Sequence, residues 1–286
     1  MATRKSYPRR SNSKRKTKKS WATRILLFAL AFLAVVLVVF TVYQFRDGIL
    51  YYLGFKTDKD VRALSKEERK IADIRIYEVL TQHPDKVVGF DVSQYQGRIA
   101  WDAISKIEDT FPLQFVFIRA TAGKDKVDSQ FHQNWNQAKK HQFIRGAYHY
   151  YRPNENSIEQ ATNFIQTVTL EPGDFPPVLD IEELPKKQSL DSLKVGLKRW
   201  LVHVEKHYKV KPIIYSGESY YTDFLKKEFS DYSFWIANYN FWRNGPDAHW
   251  LLWQFTEKAH ISGISGPVDV NIFNGDLIYL RSRLVY

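Results

Sequence analysis

The chain has 286 residues, 44% of them hydrophobic, enough for one large domain or two small ones. It contains no cysteine, which excludes disulfides, thiolate metal sites and a cysteine nucleophile. The formal charge is +11, yet residues 1–24 hold ten Lys or Arg and no acid, so everything after them carries only +1. A nucleic-acid-binding domain keeps its basic patch on the fold, so this distribution argues against one.

Residues 1–24 are polar, basic and serine-rich, and cannot bury apolar surface; they are expected to form a disordered cytoplasmic arm. Residues 25–42 follow without a single charge, with Trp21 before them and Tyr43 and Phe45 after. This predicts a membrane-spanning helix over 25–45, with interfacial aromatics at its ends. The positive charge lies on the N-terminal side, which places the N-terminus in the cytoplasm and the remainder in a periplasm or facing a wall. The run is longer than the apolar part of a signal peptide and leads into Tyr43-Gln44-Phe45-Arg46, without an A-x-A site. An uncleaved single-pass anchor is therefore expected, with the arm against anionic headgroups.

Residues 46–86 read as a helical stalk. Ser65 and Glu68 have the spacing of a capping box, and His83-Pro84-Asp85 ends the helix. This helix is either a spacer or an element packed on the next domain.

From residue 87 to 286 short strands alternate with helical stretches. Strands are predicted at 87–93, 115–121, 146–151, 177–182, 212–217, 234–239, 250–255 and 270–273. Helices are predicted at 129–141, 157–169 and 189–208, the last with Leu190, Leu193, Leu197, Trp200, Leu201 and Val204 on one face. The pattern predicts an α/β, TIM-like barrel. The short final gaps suggest antiparallel hairpins. A barrel of this kind carries its site at the C-terminal ends of its strands, where Asp91, Thr121, His149, Asp180, Glu182, Tyr215, Asn238 and Gln254 fall.

The run Val178-Leu179-Asp180-Ile181-Glu182-Glu183 is the most informative. On a strand, residues two apart share a face, so Asp180 and Glu182 project together. Two neighbouring carboxylates push their pKa values apart, as general acid catalysis at a glycosidic bond requires. By itself the run also fits a strand that ends in a solvated acidic loop.

The wider motif set resembles the family 25 glycoside hydrolases, the Chalaropsis-type lysozymes. It comprises Gly89-Phe90-Asp91-Val92-Ser93-Gln94-Tyr95-Gln96-Gly97, Phe117-Ile118-Arg119-Ala120-Thr121-Ala122-Gly123, Arg145-Gly146-Ala147-Tyr148-His149-Tyr150, and the acidic run. Ile214-Tyr215-Ser216-Gly217, Trp235-Ile236-Ala237, Trp253-Gln254-Phe255 and Val268-Asp269-Val270-Asn271 complete it, in the family's order. The resemblance implies a flattened (β/α)5β3 barrel that cleaves the β-1,4 bond between N-acetylmuramic acid and N-acetylglucosamine in peptidoglycan. It implies Glu182 as general acid, Asp180 as its partner, and Asp91 and Asp269 in the same acidic cluster. Whether Asp180 attacks the anomeric carbon or steers the substrate's acetamido group stays open, although retention of configuration is expected.

Tyr148, Tyr150, Tyr215, Trp235 and Trp253 are candidates for stacking on sugars, and Gln254 for bonding a sugar substituent. His149 is either a base or a hydrogen-bonded structural residue. Asp269 is either in the cluster or a turn residue after Gly266-Pro267, and Gly123 and Gly217 are assigned to tight turns. No cofactor and no metal is implied. Two rival readings are a non-catalytic, membrane-tethered glycan-binding scaffold and a metal-dependent hydrolase built on the four carboxylates; no H-E-x-x-H pattern accompanies the latter.

Overall fold

The computed structural model describes residues 21–44 and 65–286. Most of the basic arm and the linker at 45–64 lie outside the described residues. The chain divides into two units, Met1–Lys59 and Asp60–Tyr286. In the first, helix α1 spans Trp21–Gln44, and its side chains at 25–39 are exposed. Among the described residues no helix is long and apolar enough to cross a membrane. The described side chains of α1 cover only part of the apolar run at 25–42, whose last side chains lie outside the description.

The second unit begins with α2, Lys66–Thr81. The expected capping box is present: Glu68 N–H donates to Ser65 Oγ at 3.2 Å, and Ser65 N–H donates to Glu68 Oε2 at 2.9 Å. Of the two readings of this helix, its burial decides for packing on the domain. Ile76 and Val79 are fully buried and Leu80 nearly so, all within the main hydrophobic cluster.

Ten strands follow: β1 (Val87–Val92), β2 (Lys106–Ile107), β3 (Phe111–Ala122), β4 (Lys126–Val127), β5 (Ile144–Tyr150), β6 (Val178–Asp180), β7 (Ile213–Gly217), β8 (Ser233–Ala237), β9 (Leu252–Ala259) and β10 (Val268–Phe273). Eight of them close a ring in the order β1-β3-β5-β6-β7-β8-β9-β10, and β10 pairs back with β1. Helices α3 (Phe131–Lys140), α4 (Ser157–Thr167) and α5 (Leu190–Tyr208) make the crossovers after β3, β5 and β6. The result is the expected mixed α/β barrel.

The expectation of antiparallel pairing among the last strands needs correction. β7–β8 and β8–β9 are parallel, and only β10 runs against both its neighbours. The connection at 238–251 is long enough to return the chain to the far end of the barrel without a regular helix.

Two apolar layers hold the barrel. Leu179 and Ile181 face outward into the layer shared with the helices, while Val178, Ile213, Phe115, Phe117, Tyr215 and Trp235 fill the lumen. The lumen accepts the two phenylalanines of β3 because glycines flank them. A Cβ on Gly89 would lie 2.3 Å from the Phe115 ring, and one on Gly146 would lie 2.2 Å from the Phe117 ring. Gly123 has the positive φ (59°) expected of a tight turn, whereas Gly217 has an ordinary φ of −69° and precedes a short helical segment.

Candidate active site

Parallel strands β1, β3, β5, β6, β7, β8 and β9 run toward one mouth of the barrel. β10 runs the other way, so its first residues meet the last of β1: Asp91 lies directly opposite Asp269. Asp269 is therefore a strand residue of the mouth and not a turn residue. Tyr150 pairs in register with Asp180, and Asp180 with Tyr215. Past the end of β6 the chain stays extended. Ile181 N–H donates to the Tyr215 carbonyl at 3.0 Å, and Ser216 Oγ–H donates to the Ile181 carbonyl at 2.6 Å. Ile181 is held outward on this backbone, which turns Asp180 and Glu182 inward together.

The electrostatics of four tyrosines show which acids share the space. Burial pushes the Tyr150 hydroxyl far up, and Glu182, Asp180 and Glu183 add to the shift. Burial also raises Tyr215, with further contributions from Tyr239, Glu182, Asp180 and Asp91. Tyr239 is raised by burial and then by Asp269, Glu257, Glu182 and Asp91. At Tyr148 burial raises the pKa, Arg119 opposes it, and Asp91 and Asp180 add to it. Strand register brings Asp91 and Asp269, and Asp180 between Tyr150 and Tyr215, to one mouth of the barrel, and the fields of these acids and of Glu182 meet at the same four phenols. Asp91, Asp180 and Asp269 are buried, and Glu182 is half-buried.

A polar floor lies beneath the acids. Asp91 Oδ2 accepts from Gln254 Nε2 and Asn271 Nδ2, each at 2.8 Å. Gln254 Oε1 in turn accepts the Tyr215 hydroxyl at 2.7 Å and the Tyr239 hydroxyl. Trp235 donates its indole N–H to Asn271 Oδ1 at 2.8 Å and stacks on Phe117 with centroids 4.5 Å apart. Tyr150 donates to Glu183 Oε1 at 2.8 Å, which fixes its ring beside Asp180.

Several candidate residues thus take places other than those read from the sequence. Trp253 is fully buried in the outer layer, where its indole N–H donates to the Asn238 carbonyl, so it cannot meet a sugar. Trp235 and Tyr215 line the lumen floor and are 2% and 6% exposed, so they support the cleft from beneath. Gln254 commits its oxygen to two tyrosines and its nitrogen to Asp91, which makes it a positioning residue and not a sugar ligand.

His149 also lies outside the cleft, between the sheet and the helices, and is fully buried. Its Nε2 lies 3.1 Å from Gln160 Oε1 and its Nδ1 lies 2.7 Å from Thr121 Oγ1. Among the nominated aromatics, Tyr148 and Tyr150 remain half-buried at the mouth.

The sequence reading missed Tyr239, Asn271 and Arg119. Tyr239 is the last residue of the sixth predicted strand, next to the polar Asn238, and Arg119 is a charge inside an apolar one. Both are marks of a strand face that opens on a polar site. Arg119 donates to Asp128 Oδ2 at 2.9 Å and lies 4.6 Å from the centre of the Tyr95 ring, forming one wall of the mouth.

Residues 90–264 match the model of the glycosyl hydrolases family 25. The chain belongs to glycosyl hydrolase family 25. It is similar to the uncharacterized protein YegX of Escherichia coli strain CFT073, 39% identical over 84% of this chain and 83% of the relative. It is also similar to lysozyme M1 of Streptomyces globisporus, 30% identical over 66% of this chain and 68% of that one. Among solved structures, a family 25 glycosyl hydrolase from Bacillus anthracis superposes with a TM-score of 0.62 at 27% identity, covering 70% of this chain and 94% of the other. The family 25 membership and the acidic cleft make the chain a glycosidase.

Proposed function

We propose that this glycosidase is a muramidase that cleaves the β-1,4 bond between N-acetylmuramic acid and N-acetylglucosamine in peptidoglycan, with retention of configuration. The observation that supports this reading best is the convergence of Asp91, Asp180, Glu182 and Asp269 around shared tyrosines at one barrel mouth. Glu182, the half-buried acid, donates the proton to the glycosidic oxygen. Asp180, deeper and alongside, faces the positive charge that builds at the anomeric carbon. It either attacks that carbon or orients the substrate's acetamido oxygen to do so. Asp91, held by two amide donors, is fixed at the same mouth of the barrel.

In the same reading α1 anchors the protein as a single-pass helix, with its N-terminus in the cytoplasm and the barrel facing the wall. The one-sided positive charge and the apolar run at 25–42 support this topology. The enzyme then remodels the wall of the cell that makes it.

The test is digestion of purified peptidoglycan by the full-length protein, followed by analysis of the new reducing ends. N-acetylmuramic acid ends are expected, abolished in Glu182→Gln and unaffected by EDTA. Binding without release would support a scaffold instead, and loss with EDTA a metal enzyme. A reporter fused after residue 50 is expected to be active only outside the cytoplasm; cytoplasmic activity would overturn the topology.

A further inference from the structure

The β8–β9 connection at 238–251 starts in the cleft and then leaves it over the rim. Tyr239 sends its hydroxyl down to Gln254, yet the residue is 41% exposed. Phe241 and Trp242 follow, 48% and 83% exposed, with their rings edge to face at 5.4 Å. A single exposed aromatic means little. Three within four residues, directly after the strand end that meets the acids, group exposed aromatic surface of the kind that marks a binding site.

This tip is braced. Asn240 N–H donates to Asn238 Oδ1 at 2.7 Å, and Trp242 N–H donates to Asn240 Oδ1 at 3.0 Å. Arg243 donates to Glu218 Oε1 at 2.7 Å, and Asn238 donates to the other oxygen of the same carboxylate. Glu218 directly follows the end of β7, so the tip is tied to the catalytic end of the barrel.

From the other side comes Arg75 of α2, only 8% exposed. It donates to the carbonyls of Asn240 and Arg243 and to Asn244 Oδ1, with its guanidinium 5.5 Å from the Phe241 ring. Arg75 lies outside the segment 90–264 that matches the family. The brace on this rim is therefore supplied by the chain's own additional helix.

We propose that Tyr239, Phe241 and Trp242 form an aromatic platform for a distal sugar of the glycan strand, extending the cleft beyond the two sugars at the scissile bond. The proposal rests on the muramidase reading for its substrate. A polysaccharide bound across the mouth must leave over a rim, and this rim continues from the cleft through Tyr239. The flat C–H face of a pyranose matches an aromatic plane, and a pre-braced platform loses little conformational entropy when the sugar lands on it. Arg75 is the positioning residue of the platform.

The experiment compares Trp242→Ala, Arg75→Ala and unsubstituted full-length protein on long glycan strands and on a tetrasaccharide fragment. In Trp242→Ala the ratio of KM for long strands to KM for the tetrasaccharide is expected to rise about tenfold, equivalent to ~1.4 kcal/mol of binding. The kcat on long strands stays unchanged, as when ground state and transition state lose the same contact. Arg75→Ala moves the ratio in the same direction. A purely structural role for Arg75 would lower the melting temperature and leave the ratio alone. An unchanged ratio in Trp242→Ala overturns the platform.

Failure of the muramidase reading looks different, because the unsubstituted protein would then cut neither substrate. Co-sedimentation with insoluble peptidoglycan still decides the platform in that case. Binding lost in Trp242→Ala supports it, and equal binding refutes it.

Discussion

The buried imidazole of His149 makes the barrel acid-labile by a calculable amount. Gln160 Oε1 already accepts the Arg152 N–H at 2.9 Å, while Gln160 Nε2 donates to the Arg152 carbonyl at 3.0 Å. The amide orientation is therefore set, and Oε1 must accept from His149 Nε2–H. Nδ1 is then the acceptor for the Thr121 hydroxyl, and the ring is neutral. Trp200 stacks on it at 5.5 Å, and burial lowers its pKa from 6.5 to about 3.

The unfolded chain takes up a proton near pH 6.5 and the folded chain does not. The stability contributed by the neutral ring is thus complete above pH 6.5 and is lost as pH falls toward 3. Between pH 7 and pH 5 the loss is about 2 kcal/mol, at ~1.4 kcal/mol per pH unit once the unfolded histidine titrates. Urea unfolding at both pH values measures it, with His149→Gln as the control that removes the titration. The difference between pH 7 and pH 5 is expected to be about 2 kcal/mol smaller in the variant. An equal pH dependence in both proteins, or an imidazolium nitrogen signal for His149 in folded protein at pH 5, would show that the buried ring is not the source of the acid lability.

Gln254→Leu removes one amide donor from the Asp91 carboxylate and leaves the buried Tyr215 hydroxyl without its acceptor. Chemical unfolding is expected to show a loss of about 3–5 kcal/mol, from a charged hydrogen bond and an unsatisfied hydroxyl, and kcat should fall with it. Trp253→Ala empties a site in the outer layer and should cost about 3–5 kcal/mol of stability, with KM for peptidoglycan unchanged in the protein that remains folded. A KM effect there without a stability effect would return Trp253 to the cleft.

Most of the strand positions could be read directly, because short apolar stretches bounded by turn and helical signals mark buried strands, whereas the acidic run gained its meaning from the ordered motifs around it. The pairing of Asp180 with Glu182 followed from the two-residue period alone. The place of Asp269 opposite Asp91 did not, since it depends on β10 closing the ring against β1 across about 180 residues of chain. The stalk helix shows a similar limit. Its cap was visible in Ser65 and Glu68, but whether Ile76 and Val79 found an apolar partner was a matter of tertiary contact.

Composition and periodicity alone reveal the alternation of strands and helices, the one-sided basic arm beside an apolar run, and the two carboxylates that share a face. Which aromatics meet the cleft depends instead on how the ring of strands closes. In a parallel barrel both faces of every strand are buried, one in the lumen and one under the helices, so Trp235 and Trp253 carry the same apolar signature in sequence. They part company only when the ring closes, with Trp235 beneath the acids and Trp253 sealed behind the wall.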